Sequence, residues 1–202
     1  MKLRTLSAAV VASLLAASAT AQVAEVPQWI FRMGIHPFQP KENSHTVIHL
    51  DDTAAATFGA TYLFDKHWGI EMFGATPMTH EMRLRDGTKV AEARELPTTI
   101  SVQYHVLDTT QRARAYAGVG IALAAFAKEK TMGPFGGQKL DLHESTGLTA
   151  LVGLDLDLGH DWFINADARW FDIDTRATLD GERFGTIQID PFAFGLALGR
   201  KF

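Results

Sequence analysis

The last thirteen residues, DPFAFGLALGRKF, alternate between two kinds of side chain with a period of two. One face carries Phe192, Phe194, Leu196, Leu198, Arg200 and Phe202, and the other carries Ala193, Gly195, Ala197, Gly199 and Lys201. This alternation predicts a β-strand. A soluble sandwich would place polar residues on its small face, whereas this face is almost entirely Gly and Ala. The pattern instead favours a small closed barrel, with bulky residues toward lipid and small residues in a narrow interior.

Turn residues divide the rest of the chain into short alternating segments. The alternation predicts eight strands: Trp29–Pro37, Ala54–Phe64, Trp68–Thr76, Leu96–Leu107, Arg114–Ala125, Thr146–Leu158, Trp162–Thr175 and Gln188–Phe202. Most have about ten residues, the length that a tilted membrane strand requires.

The connections between these strands alternate in length. Residues 65–67, 108–113 and 159–161 are short, whereas the segments near 38–53, 77–95, 126–145 and 176–187 are long. Short turns at one rim and long loops at the other are typical of outer-membrane barrels, and a soluble Greek-key sandwich gives less reason for this regularity. We therefore predict an all-β, eight-stranded antiparallel transmembrane barrel with short periplasmic turns and long extracellular loops.

The first residues have the composition of a secretory signal peptide. Lys2 and Arg4 precede an apolar stretch that ends in the small residues Ala-Thr-Ala at position 21. The stretch is shorter than the roughly twenty apolar residues of a membrane helix. We predict a cleaved signal peptide at residues 1–21, export to the outer membrane, and a barrel domain at residues 22–202.

Composition narrows the function further. Without Lys2 and Arg4, the 19 basic residues become 17 against 23 acidic ones, so nucleic acid is not predicted as a partner. The chain has no cysteine, so an exported fold has to be stable without disulfides.

Charged and polar side chains follow the inward parity of several strands. They are Arg32, Glu71, Gln103, His105, Arg114, Asp155, Asp157, Asn165, Asp167, Arg169 and Lys201. Lipid disfavours such groups, so they are predicted to pair across the barrel interior. Both a structural network and a dedicated ligand site fit this set, and the structural network is favoured.

Two tryptophans share the outward parity of the seventh strand. Trp162 and Trp170 are eight residues apart, which corresponds to about 20 Å in height on a tilted strand. They are predicted to mark the two aromatic girdles of a membrane barrel, and the alternative is that they are core residues of a sandwich.

No catalytic residue, metal site or cofactor is predicted. His143, Glu144 and Ser145 have the residue types of a hydrolase triad, but adjacent residues on an extended segment point alternately. The segment DIDTRATLDGE starts like a calcium loop and departs from one at Arg176 and Ala177. The eight histidines are scattered without ligand spacing.

Several stretches together resemble the OmpW family of Gram-negative outer-membrane proteins. They are GIEMFGATPMTHEM, ELPTTISVQY, RAYAGVGIALAAF, DWFINADARWFDIDTRA and DPFAFGLALGRKF. Their order and spacing carry the resemblance, which covers nearly the whole chain after the predicted signal peptide.

The resemblance implies an outer-membrane barrel that lets small, mainly hydrophobic molecules cross, with possible sideways release into the bilayer. It implies that Phe202 is part of the signal read by the barrel assembly machinery. It also implies an apolar gate at the positions of Phe73 and Arg169, although an arginine departs from that pattern. We expect Arg169 to pair with Asp167, Asp155 or Asp157.

The third long loop, KEKTMGPFGGQKLDLHES, mixes Met132 and Phe135 with charges. It is predicted to be an ordinary surface loop, a cover over the cavity mouth, or a contact site for an outside partner such as a phage or bacteriocin. The alternative function is accordingly a surface receptor or structural barrel with a closed interior.

Overall fold

The computed structural model describes residues 29–41, 48–84, 86–106 and 112–202, without the side chains of residues 48–50 and 184. The predicted signal peptide at residues 1–21 lies outside the described residues. No helix among the described residues is long and apolar enough to cross a bilayer.

The described chain is almost entirely β-structure, with one 3-10 turn at Gly133–Phe135. The strands are β1 Trp29–Gln39, β2 Ile48–Leu50, β3 Thr53–Leu63, β4 Trp68–Ala75, β5 Met78–Leu84, β6 Lys89–His105, β7 Ala113–Thr131, β8 Leu140–Leu142, β9 Ser145–Gly159, β10 Trp162–Phe171, β11 Asp174–Leu179, β12 Glu182–Gln188 and β13 Phe192–Lys201.

Eight of these strands close an antiparallel barrel in the order β1-β3-β4-β6-β7-β9-β10-β13. β1 pairs with β3 on one side and with β13 on the other. At the rim with the short turns, the backbone N–H of Phe202 donates to the carbonyl of Trp29 over 2.8 Å. The backbone N–H of Trp29 donates to the carbonyl of Phe202 over 3.3 Å. The predicted all-β barrel is therefore confirmed.

Much of what the sequence predicts as long loops forms strands beyond the barrel. β6 and β7 continue past the eight-stranded ring, and β5 pairs with the extended part of β6. β8, β11 and β12 form a separate three-stranded sheet at the same rim. The loops are long because they carry this second tier of pairing.

Two predicted strands are shorter in the structure. The strand predicted from Trp162 to Thr175 ends at Phe171, and the chain resumes as β11 at Asp174. The pairing is interrupted because the backbone N–H of Ile173 donates to Asp190 Oδ1 over 3.2 Å and not to a neighbouring strand. The strand predicted from Gln188 begins at Phe192, because Pro191 has no N–H for a ladder.

The two faces of the barrel wall differ as the alternation predicts. Met33 is 74% exposed and Leu196 is 67% exposed on the outside, whereas Ala193 and Ala197 are buried inside. A contiguous apolar belt of this size requires lipid around it.

Interior glycines make room for rings from other strands. A Cβ atom on Gly195 would lie 2.0 Å from Nε2 of His36, and one on Gly199 would lie 2.1 Å from the Phe163 ring. These overlaps explain why β13 alternates large residues with glycine and alanine.

Candidate functional site

The short-turn end of the barrel is closed by a small apolar plug. Ile30, Leu63 and Phe163 pack together there and are all at most 2% exposed. Near the same rim, Lys201 Nζ donates to Asp157 Oδ2 over 2.7 Å. This ion pair is less buried than the charged residues deeper in the barrel.

Above the plug lies a cluster of charged residues centred on Asp155, which we call the lower cluster (Arg32, Arg114, Tyr116, Asp155 and Asn165). Arg32 Nη2 donates to Asp155 Oδ2 over 2.9 Å, and Arg114 donates to the same oxygen. Asn165 donates to Asp155 Oδ1 over 2.8 Å and to the Tyr116 hydroxyl over 2.9 Å. Two arginines share one carboxylate here, and the Nε and Nη1 atoms of Arg114 have no hydrogen-bond partner among the described residues.

A second cluster, which we call the floor (His36, Glu71, Phe73, Asp167 and Arg169), lies above the first. Arg169 makes a bidentate pair with Glu71 over 2.7 and 3.0 Å and contacts Asp167 over 2.5 Å. Nε2 of His36 lies 2.9 Å from Asp167, and its Nδ1 lies 2.7 Å from the Thr57 hydroxyl.

An aromatic contact completes the floor. The guanidinium carbon of Arg169 is 3.8 Å from the centroid of the Phe73 ring. Arg169 and Phe73 therefore form one unit, in which the ring provides an apolar upper contact for a charge that carboxylates hold from the side.

The interior is tightly filled at the level of the floor. The cavity lined by His36, Phe73 and Arg169 has a volume of about 10 Å³. This is room for about one water molecule. Together with the lower cluster and the plug, the floor leaves no continuous wide passage along the described barrel axis.

The inner face of β6 carries polar atoms that lack partners among the described residues. They belong to Thr99, Ser101, Gln103 and His105. The His105 ring stacks on Tyr116 with its centroid 5.3 Å away.

An apolar region, which we call the upper layer, lies between the floor and the long-loop rim. Its members are Phe38, Ala55, Ala75, Met78, Met82, Val90, Ala91, Ala93, Ala122, Ala124, Leu142, Phe171, Ile173, Ala177, Ile187, Ile189 and Ala193. It spans the upper barrel and the second tier of strands. The interior thus changes from ionic to apolar directly above Phe73.

The third long loop folds over this layer. Phe135 and Leu140 pack against the upper layer and line a cavity of about 10 Å³ together with Met82 and Ile187. A second cavity of the same volume shares Met82 and Ile187 and reaches His80. Of the alternatives for this loop, the structure favours the cover over the mouth.

The structure brings together some predicted site residues and separates others. Arg169 contacts Asp167, as expected, whereas Asp155 binds Arg32 and Arg114, and Asp157 binds Lys201. Asp167 is thus the partner among the three predicted aspartates, and Asp155 and Asp157 do not contact Arg169 because both lie nearer the short-turn rim.

Several residues of the interior were not identified from sequence as partners. Glu71 is the bidentate partner of Arg169, and His36 holds Asp167. His36 shares the parity of Arg32 on the first strand, which could have indicated its inward position. His80 and Glu95 lie in a segment predicted to be a loop, so no strand parity was available for them.

The outward residues surround the barrel at two heights. Trp162 lies at the short-turn rim, where the Arg200 guanidinium is 5.4 Å from its ring, and Trp170 lies at the other end of β10. The Phe202 ring contacts Phe31 edge-on with centroids 5.6 Å apart. Roles of these residues as girdles and as an assembly signal remain predictions.

The candidate triad and calcium loop do not assemble. His143 and Glu144 are exposed, whereas Ser145 is buried. Burial, and then the neighbouring Asp190 and Asp172, raise the pKa of the Asp174 carboxyl. No group of three or more acidic or histidine side chains in the described part of the chain has the arrangement of a metal site.

Comparison with known proteins gives a consistent result. The family model described as the OmpW family matches residues 28–202. Outer membrane protein W of Vibrio cholerae is 30% identical over 86% of this chain and 88% of its own, and that of Escherichia coli is 28% identical over the full length of both. The crystal structure of OprG from Pseudomonas aeruginosa superposes with a TM-score of 0.78 at 24% identity, covering 91% of this chain and 99% of that one, which shows a shared fold.

Proposed function

This chain belongs to the OmpW family of outer-membrane proteins, and from its interior we propose that it admits small, mainly hydrophobic molecules through a narrow path that is closed toward the periplasm. It resides in the lipid of the outer membrane. The observation that carries the proposal is the apolar upper layer, which lies beneath the long extracellular loops and rests on the closed ionic floor.

The upper layer favours apolar solutes for a simple reason. Its walls are mainly buried aliphatic and aromatic side chains, and an ion that entered would lose most of its hydration. Met78 and Met82 contribute flexible side chains that can adapt to different shapes. Since each cavity here holds about 10 Å³, a solute enters by displacing side chains.

The floor blocks the direct route to the periplasm. A solute passing downward would have to separate Arg169 from Glu71 and Asp167, whose side chains are all at most 2% exposed. Breaking a buried ion pair is costly because it leaves an unpaired charge in a dry site. Release therefore has to occur above the floor.

We propose that release occurs sideways, between β4 and β6. The ladder pairs Gly74 with Thr98 below and Met78 with Glu95 above, so residues 75–77 face residues 96–97 with a one-residue offset. Pro77 and Pro97 lack N–H groups, and Thr76 donates instead to Ala56 over 2.8 Å. We call this junction of residues 75–77 with residues 96–97 the seam. It is a weakly bonded part of the barrel wall at the height of the upper layer.

We propose no catalytic role, since the residues of the candidate triad are divided between the surface and the interior. We further propose that the assembly machinery reads the end of β13 at Phe202. Binding of a phage or bacteriocin to the loops, and with it the receptor alternative, stays a prediction.

Uptake by cells that lack the protein tests the proposal. Ala124 faces the upper layer and Ala125 faces outward on the same strand, so Ala124→Phe and Ala125→Phe are matched substitutions. We expect Ala124→Phe to reduce uptake of apolar solutes to the level of cells without the protein, and Ala125→Phe to leave it near the parent level. Equal uptake by all strains across a panel of apolar solutes, with folded protein confirmed in the outer membrane, contradicts the proposal.

A further inference from the structure

We propose that His80 and Glu95 form a recognition site, inside the upper layer, for one hydroxyl group on an otherwise apolar solute. The inference rests on the proposed function and deepens it, because it names the solute class as alcohols and phenols. The site lies on β5 and β6, above the barrel ring and beneath the long loops.

The two side chains form a buried pair. Nε2 of His80 lies 2.8 Å from Oε2 of Glu95, and their side chains are 5% and 2% exposed. Neither ring nitrogen of His80 makes a hydrogen bond of good geometry to another described residue, although Nε2 lies this close to Glu95. A buried polar atom without a partner is uncommon in a native protein and calls for an explanation.

The surroundings do not supply that partner. The cavity that His80 lines is otherwise bounded mainly by Ala93, Phe126, Leu142, Ile187 and Ile189. Apolar residues the size of leucine would fill the positions of His80 and Glu95 without the cost of removing polar groups from water. A ligand that completes the hydrogen bonding accounts for an imidazole and a carboxylate here.

The chemistry of the pair selects the ligand. A carboxylate only accepts hydrogen bonds, so a neutral His80 ring that carries its proton on Nε2, the nitrogen close to Glu95, presents Nδ1 as an acceptor. Thr175 lines the same cavity and donates its hydroxyl proton to the carbonyl of His143 over 2.6 Å, which leaves its oxygen as a second acceptor. Two acceptors facing one cavity favour a ligand O–H over an ether or a hydrocarbon.

Room for the apolar body lies beside this site. The cavity at His80 and the cavity at Phe135 and Leu140 both contact Met82 and Ile187, which separate them. Movement of the unbranched Met82 side chain joins the two spaces. The hydroxyl then binds at His80 while the hydrocarbon part occupies the space beneath Phe135.

Binding of 4-ethylphenol and of its methyl ether, 4-ethylanisole, to the full chain in lipid nanodiscs tests this site. Each affinity is expressed relative to the concentration of the compound in the lipid, which is determined from its partitioning into empty nanodiscs. We expect the phenol to bind roughly tenfold more tightly than the ether, the effect of one buried hydrogen bond. We also expect the Nδ1 nitrogen signal of His80 to shift with the phenol alone.

The double variant His80→Leu with Glu95→Leu should lose the tenfold preference and keep the affinity for the ether. The matched control is Thr79→Leu with Arg94→Leu, a directly paired, exposed couple on the same two strands, which should keep the preference. If the parent binds phenol and ether equally without a His80 shift, this site is refuted while the apolar path stands. If neither compound binds, the proposed function fails as well. These two outcomes are measured on the parent protein, so they test the site even if the double variant does not fold.

Discussion

Arg169 and Phe73 meet across the lumen of the barrel, with the guanidinium carbon 3.8 Å from the ring centroid. They belong to β10 and β4, which are four strands apart in either direction around the ring of eight. This contact ties opposite walls together at one height. The floor is therefore both a barrier and a cross-brace of the barrel.

Removal of the guanidinium should destabilise the barrel strongly. Arg169→Leu leaves Glu71 buried without its bidentate partner, and we expect a loss of about 3–5 kcal/mol in the free energy of unfolding. Urea titration in lipid vesicles measures this loss. The double variant Arg169→Leu with Glu71→Leu should recover most of it, because no buried charge is then unpaired on β4. A loss below about 1 kcal/mol for the single variant would contradict the role of the floor.

The closed interior predicts electrical silence. The folded parent protein in a planar bilayer should carry no steady ion current, since the floor, the lower cluster and the plug lie in series. Arg169→Leu should stay silent because the plug at Ile30, Leu63 and Phe163 is unchanged. A steady current whose size changes in Arg169→Leu would instead show a continuous aqueous path with a polar constriction.

The sequence predicted the barrel well because strand parity is a local property. The alternation in residues 192–202 is sufficient to assign each side chain to lipid or lumen, and the burial pattern of β13 matches it. The choice among interior partners is not local. Whether Arg169 meets Asp155 or Glu71 depends on the stagger of strands around the ring, which alternation does not encode.

The second tier of strands was missed although much of its pairing is local. β5 pairs with β6 and β11 pairs with β12, as hairpins across Asp86-Gly87 and Asp180-Gly181. Asp-Gly between alternating segments is a hairpin signal, and the prediction instead assigned these Gly and charged residues to loops.

Interior glycines should not tolerate side chains. Gly195→Val places atoms where the His36 ring lies, since even a Cβ would be 2.0 Å from Nε2. We expect a loss of about 1–3 kcal/mol from overpacking. Ala166→Val adds a comparable group on the outer face of β10 and should cost much less. Comparable losses for both variants in urea titration would argue against the ring-on-glycine packing.

Locking the seam should stop release. The chain has no cysteine, so Thr76→Cys with Leu96→Cys introduces one disulfide across β4 and β6 without competing thiols. We expect oxidation to lower uptake of apolar solutes severalfold and reduction to restore it. The control, Met33→Cys with Phe58→Cys, joins directly paired outward residues of β1 and β3 and should have no effect. Full uptake with the seam disulfide formed would show another exit.

The periplasmic turn between β3 and β4 should make stability depend on pH. The Asp65 carboxylate accepts backbone hydrogen bonds from Trp68 and His67, each over 2.7 Å, and these hold its pKa below its ordinary value. A lowered folded-state pKa gives a stabilisation that is present above the unfolded-state pKa of about 3.9 and is lost as the pH falls through the folded-state value.

The destabilisation caused by Asp65→Asn should therefore be largest at neutral pH and disappear in strong acid. Urea titrations of parent and variant from about pH 7 to about pH 2 measure the difference. Asp161→Asn removes a charge from the neighbouring turn and serves as the control. A difference between parent and Asp65→Asn that stays constant with pH would rule out the carboxylate as the cause.

The pairing of β1 with β13 sets an order of events during biogenesis. Ribosomes make β1 before any other barrel strand and β13 after all of them, yet these two strands form the closing ladder. Until β13 arrives, the edge of β1 offers unpaired N–H and C=O groups to any other chain nearby. The barrel therefore cannot close while it is being synthesised, and its precursor has to be shielded along the whole route to the membrane.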